Sequence, residues 1–170
     1  MSFDQQLYSS NRQDWATPQA LFDALHAEFN FELDAAASAH NAKCPTYLDE
    51  QTNALEQDWA TLSKGGAVWL NPPYGREIGR WVQKASQEGE RVPVVVLIFA
   101  RTDTRWWHEY AMKAAEIRLI PGRVTFGVPP ALALLRASRA TNVAPAPSCV
   151  LVFDEARRRP IFFTQELPRK

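Results

Sequence analysis

The apolar positions of the chain fall into two rhythms. Leu21, Phe22, Leu25 and Phe29 recur at three- and four-residue steps, which predicts a helix with one buried stripe. Thr17 is a good N-cap ahead of it, and Pro18 suits the first helical position. Phe29, Phe31 and Leu33 then alternate with polar residues, as in a half-buried strand. Asp34 closes that strand and the small run Ala35-Ala36-Ala37 follows. Residues 38–57, including Asn41, Lys43, Tyr47 and Asp49, have no clear period. They are expected to form a loop with one short strand, and Ala54 to Trp59 a turn of helix.

The second half of the pattern is stronger. Ala67 to Leu70 is a four-residue apolar strand. Glu77 to Gln87 reads as a helix with Ile78, Trp81, Val82 and Ala85 on its apolar stripe. Val92 to Ala100 is a continuous apolar run, as in a strand buried on both faces. Arg105 to Ala115 is predicted as a helix with Trp107, Tyr110, Ala111 and Ala114 inward. Glu116 to Ile120 is a short strand that Val124 to Val128 would continue beyond the Pro121-Gly122 turn. Residues 129–147 are rich in Pro, Ala and Arg and read as a long loop, partly helical around Ala131 to Arg136. Ser148 to Phe153 is a last buried strand, and Arg157-Arg158-Arg159 turns into Ile161 to Phe163. Strands alternating with helices predict an α/β fold: a mostly parallel sheet, helices on both faces, and an antiparallel edge from the late short strands. Residues 1–13 read as a flexible lead-in, and 14–170 as one domain.

Composition narrows the class. Hydrophobic residues are 46% and charged ones 22%, the balance of a folded soluble chain. No apolar run approaches the roughly 18 residues that span a bilayer, and the polar start lacks a signal core. Cys44 and Cys149 show neither Cys-x-x-Cys nor His spacing. No metal site or disulfide framework is expected, and a reducing cytoplasm is the expected compartment. The net charge is zero but divided. Residues 1–100 hold seven basic against thirteen acidic residues, and residues 101–170 hold twelve against six. A polyanion lying against the C-terminal portion is compatible with that split.

The strand at 67–70 ends in Asn71-Pro72-Pro73-Tyr74-Gly75. Two prolines without N–H groups must stop it, and Asn71 before a proline is pushed toward extended geometry. The Asn71 side-chain oxygen and the Pro72 carbonyl can both accept from one –NH2 group, while Tyr74 can stack on the ring that carries it. That combination suits an exocyclic amine on a planar heterocycle, such as adenine N6. Asp34, at the carboxyl end of a strand, is where ligands bind in open α/β sheets. It can pair with an ammonium or with ribose hydroxyls, or it can serve as a helix cap. No Gly-x-Gly follows it.

A wider set of residues accompanies the turn: Trp15-x-Thr17-Pro18, Leu33-Asp34-x-Ala36-Ala37, Asp58-Trp59, Ala100-x-Thr102-Asp103-Thr104-x-Trp106 and Gly122-Arg123-x-x-Phe126. Together they resemble the phage-type DNA N6-adenine methyltransferases, the Dam-like family that uses S-adenosylmethionine. The resemblance covers about residues 14–153. It implies a Rossmann-like methyltransferase fold and methyl transfer to adenine N6 in DNA, on a base flipped out of the duplex. Asn71, Pro72, Pro73 and Tyr74 would hold that base. Trp15, Thr17 and Pro18 would belong to the cofactor-gripping segment, with Asp34, Ala35 and Ala36 at the first strand end. Asp58, 13 positions before Asn71, would receive the cofactor's adenine amine. The usual glycine-rich turn after the first strand is replaced here by alanines.

Arg101, Arg105, Arg123, Arg136, Arg139 and Arg157 to Arg159 are candidates for phosphate contact, and the 129–147 loop for base reading. Trp106 and Trp107 are candidates for shaping a base pocket, with core packing expected of at least one. His26, His40 and His108 read as surface or boundary residues. The expected partner is DNA, met by a monomer in a bacterial host cytoplasm. Asn-Pro-Pro-Tyr also serves methyl transfer to cytosine N4, an RNA base or a protein glutamine. A non-catalytic nucleic-acid-binding module is the remaining alternative.

Overall fold

The computed structural model describes residues 16–127, 143–157 and 161–164, the last as backbone alone. Trp15, Arg136, Arg139, Arg158, Arg159, the lead-in and most of the 129–147 loop lie outside the described residues. Among the described residues, seven strands form one sheet in the order β2-β1-β3-β4-β6-β5-β7. In chain order they are β1 (Phe31–Asp34), β2 (Thr46–Tyr47), β3 (Ala67–Leu70), β4 (Val94–Phe99), β5 (Glu116–Leu119), β6 (Ser148–Phe153) and β7 (Ile161–Thr164). Four pairings are parallel. Only β6 runs the other way, wedged between β4 and β5. The α/β class and the mostly parallel sheet agree with the sequence pattern, and the antiparallel pairings fall among the late strands, as expected, on either side of β6.

Alternation along the strands splits the core in two. Leu33, Val68, Leu70, Val94, Val96, Ile98, Cys149 and Leu151 face one way. Phe31, Ala67, Trp69, Val95, Leu97, Phe99, Val150 and Val152 face the other. Side chains along a strand point to opposite faces in turn, so each face needs its own cover. Helix α1 (Gln19–Phe29) covers the second face with Leu21, Phe22 and Leu25. The first face is covered by α2 (Trp59–Leu62), α3 (Ile78–Glu88) and α4 (Arg105–Glu109), through Trp59, Val82, Ala85 and Trp107.

Three expectations are corrected in detail. Pro18, not Thr17, is the N-cap of α1, and no side chain caps it. Pro18 carries extended backbone angles, φ −55° and ψ 130°, so the helix begins one residue later. The helix from Arg105 stops at Glu109, and Ala111–Lys113 is a separate 3₁₀ turn. Tyr110, at φ −126°, breaks it, and the chain must straighten for Ala115 N–H to reach the Val152 carbonyl. The segment after Gly122 does not prolong β5. Gly122 adopts φ +78°, which turns the chain back over the sheet, where Thr125 bridges Val143 and Gly127 bridges Ala16.

Candidate functional site

The connection from β1 runs outward to β2, and the next crosses back past β1 to β3. Neighbouring strands whose connections leave in opposite directions open a crevice at their carboxyl ends, the usual ligand position in such sheets. Asp34 ends β1 and Asn71 follows β3, with Asp34 in register with Trp69. The Ala35 N–H donates to the Trp69 carbonyl at 2.9 Å, so the alanine run starts flush against the strand that delivers Asn71.

Asp34 is 2% exposed. One carboxylate oxygen accepts from the Lys43 N–H at 2.9 Å and the other from the Ala36 N–H at 3.3 Å. Burial pushes its carboxyl up to about 6, against the pull of those two donors. The loop it organises carries Lys43, whose ammonium donates to Gln19 in the first turn of α1 at 2.7 Å. The start of α1, the alanine run and Asp34 are thereby joined at one corner of the crevice.

Asn71 is half-buried and Pro72 buried. The Tyr74 ring folds back against the sheet, stacked on Phe99 at 3.9 Å between centroids and 17° between planes. Phe126 stands edge-on to both rings, at 6.5 Å from each. The Tyr74 hydroxyl donates at long range to the Leu97 carbonyl, 3.4 Å, and to Asn71 Oδ1, 3.5 Å. Burial among these apolar neighbours drives its phenol well above the usual range. The turn therefore holds an amide oxygen and a carbonyl beside an aromatic floor.

Asp58 is not brought to this edge. It caps α2 through the Thr61 N–H at 2.9 Å and pairs with Arg91 at 2.8 Å. Arg91 precedes β4, and the adjoining Ala60 N–H is held by Glu88 at the end of α3. These are the amino ends of the strands. The Arg91 guanidinium holds the Asp58 carboxyl down at about 2. Arg101 and Arg105 lie beyond β4, and Arg123 beyond β5, all exposed at the carboxyl side. Arg101 faces Asp103, Arg105 faces Glu109, and Arg123 donates to the Ala144 carbonyl at 3.5 Å. Arg157 is committed elsewhere: it bonds Glu28 and Glu116 at 3.0 Å, at the opposite end of the sheet. Trp107 is core, and Trp106 packs on it and against Gly79. His26 Nδ1 accepts from the Phe31 N–H, and His108 meets the Thr102 carbonyl.

Sequence reasoning missed three participants. Phe99 reads as one more apolar residue of a buried strand, yet it is the platform under Tyr74. Phe126 belongs to a quoted motif without a role attached. Arg76 directly follows the turn and is exposed beside it. Its adjacency to Tyr74 and Gly75 was the available signal. Among the described residues, no group of three His, Cys, Asp or Glu is placed to hold a metal ion. Among the same residues, no helix is long and apolar enough to cross a membrane.

Comparison with known proteins adds independent information. The family model for DNA N-6-adenine-methyltransferase (Dam) matches residues 4–167. The DNA N-6-adenine-methyltransferase of Escherichia phage T1 is 35% identical over 116 residues, 67% of this chain and 47% of the phage protein. That of Haemophilus phage HP1 is 32% identical over 111 residues, 64% of this chain and 62% of its own length. The chain thus spans about half to three-fifths of the length of these two relatives.

Proposed function

The chain belongs to the DNA N-6-adenine-methyltransferase (Dam) family, and we propose from that premise that it transfers a methyl group from S-adenosylmethionine to adenine N6 in DNA. The chief support is the position of Asn71 and Tyr74 at the end of β3, beside the crevice between β1 and β3. Asn71 Oδ1 and the Pro72 carbonyl accept the two N6 hydrogens. Those bonds strengthen as N6 gains positive charge during transfer, so they act mainly on the transition state. Tyr74 stacks on the flipped base, and its own ring is steadied by Phe99 behind it.

The corner around Asp34 fits the methyl donor by its chemistry. A carboxylate that is 2% exposed, with two backbone donors and no ion pair among the described residues, is matched by a ligand ammonium. The uncapped start of α1 suits a ligand carboxylate, and Ala35 and Ala36 keep the approach low. Asp34 would bind the ammonium, Thr17 and Pro18 would set the helix start, and Ala35 and Ala36 would line the floor. Bound there, the sulfonium supplies an activated methyl. Asp58 is left out of this set because its partners are Thr61 and Arg91. Arg76, Arg101, Arg105 and Arg123 would meet DNA phosphates around the crevice.

The test is incubation with labelled S-adenosylmethionine and unmethylated duplex DNA, followed by nucleoside analysis. Label is expected in N6-methyladenine. Label in cytosine, or only in RNA or protein, overturns the reading. Asn71→Ala is expected to lower methyl transfer by on the order of 10²–10³, the loss typical of one such acceptor or donor, with methyl-donor affinity by calorimetry unchanged.

A further inference from the structure

Lys43 does two things at once. Its N–H donates to Asp34 Oδ2 at 2.9 Å, and its ammonium turns away to the first residue of α1, donating to Gln19 Oε1 at 2.7 Å. The side chain is half-buried, and the ammonium stands 6.0 Å from the Phe22 ring centroid. Among the described residues its hydrogen-bond partner is therefore a neutral amide. That amide is itself engaged with Asp23, to which Gln19 Nε2 donates at 2.7 Å. Asp23 and Asp34 attract the ammonium without forming an ion pair with it, and burial is the larger influence, lowering its pKa. A partly desolvated cation is best matched by an anion, and an amide oxygen leaves that match unmade.

The corner thus holds two opposite charges that do not meet. Asp34 is 2% exposed and is bonded by backbone N–H groups. Lys43 reaches the start of α1 instead of closing on it. The Pro18 carbonyl accepts from the Leu21 and Phe22 N–H groups at 3.1 Å. The N–H groups of Gln19 and Ala20 precede those first helical bonds, on residues that are both exposed. A simple anion would answer Lys43 alone, and a simple amine Asp34 alone. A zwitterion, with an ammonium and a carboxylate on one carbon, answers both.

We infer that the Lys43 ammonium binds the carboxylate of the methyl donor's amino-acid end, beside the ammonium given to Asp34. The inference rests on the methyl-donor reading above and deepens it. Lys43 contacts the end of the donor away from the sulfonium, so it takes no part in moving the methyl group. It makes the chain selective for a donor that keeps its carboxylate.

The test is calorimetric titration of the full chain, without DNA, with S-adenosylmethionine and with its decarboxylated form. The proteins are wild type and Lys43→Met, which keeps an apolar stem of similar length. The wild-type chain is expected to bind the decarboxylated form about tenfold or more weakly, as befits one lost charge-assisted bond. Lys43→Met should lose about tenfold on S-adenosylmethionine and stay within about twofold of wild type on the decarboxylated form. Equal losses on both ligands mean that Lys43 only shapes the corner, and overturn the inference. Unchanged affinity for S-adenosylmethionine overturns it too. Fluorescence anisotropy on duplex DNA across a salt series separates the other source of a carboxylate-like charge, a phosphate. The salt slope of Lys43→Met should equal that of wild type, and a slope smaller by about one with unchanged donor affinity overturns the inference. If the wild-type chain binds no S-adenosylmethionine, the donor reading fails and this one with it. If it binds and Lys43→Met discriminates as wild type does, only the role of Lys43 fails.

Discussion

Asp34 shows how a single residue can be legible in type and hidden in circumstance. An acid at a strand end is visible in the sequence. Its burial, and its two bonds to the Ala36 and Lys43 N–H groups, are not, because Lys43 arrives from a loop with no period. Burial raises its carboxyl from 3.8 to about 6. The folded chain therefore keeps a proton between about pH 4 and 6 that the unfolded chain has already released. The contribution of this group to stability is largest below that window, falls as pH rises through it, and is level above. The size is on the order of 2–3 kcal/mol. The difference in urea midpoint, wild-type chain minus Asp34→Asn, measured from pH 4 to 7, should fall as pH rises through this window and be level above about 6, because the other carboxylates titrate alike in both proteins. Asp58 is the opposite lesson. Its spacing from Asn71 suits a ligand contact, but its bonds to Thr61 and Arg91 tie it to the far end of the sheet.

Elements were legible where their period was long. The helix expected over Glu77 to Gln87 is found over Ile78–Glu88, with Val82 and Ala85 buried as the stripe requires. The turn after it depends on contacts across more than sixty residues. A Cβ on Gly89 would lie 2.3 Å from Phe153 Cβ and 3.1 Å from its carbonyl carbon. Neither is the flexible end of a side chain, so β6 or the helix end must shift. Gly89→Ala is expected to destabilise the fold by about 1–3 kcal/mol, read as a lower urea midpoint with unchanged slope. The helix from Arg105 was overextended in the sequence reading. Its inward residues Tyr110, Ala111 and Ala114 do keep a helical spacing, yet Tyr110 leaves helical angles so that Ala115 can join β6. Tertiary pairing outweighs a weak local preference of this kind.

At the scale of the molecule, the two ends of the sheet carry different charge chemistry. At the amino ends, Arg118 is nearly buried and bonds Glu28 through both terminal nitrogens at 2.6 Å, and Glu116 besides, while Arg157 closes the group. The Arg118 hydrogen bonds hold the Glu28 carboxyl below its usual value. These arginines are engaged with carboxylates, so Arg157 is left out of the proposed phosphate-contacting set. At the carboxyl ends Arg76, Arg101, Arg105 and Arg123 are exposed. Each phosphate contact contributes about 0.9 to the slope of log affinity against log salt on duplex DNA. Replacing any one of the four with Ala should reduce that slope by about one and weaken binding on all sequences alike. Replacing Lys64, which precedes β3 at the other end, should leave the slope unchanged. Fluorescence anisotropy across a salt series distinguishes the two.

By itself the sequence determined the alternation of strands and helices, the two-sided burial of Val94 to Phe99 and the abrupt stop at Asn71. Those follow from local covalent and solvation rules: side-chain period, proline geometry and the run length of apolar residues. Only the tertiary structure decided which ends of the strands face each other. It set Asp34 beside the strand that delivers Asn71, sent Asp58 and Arg157 to the opposite end, and laid Tyr74 on Phe99. Strand order and register arise from pairings between distant segments, which the period of any one segment leaves undetermined.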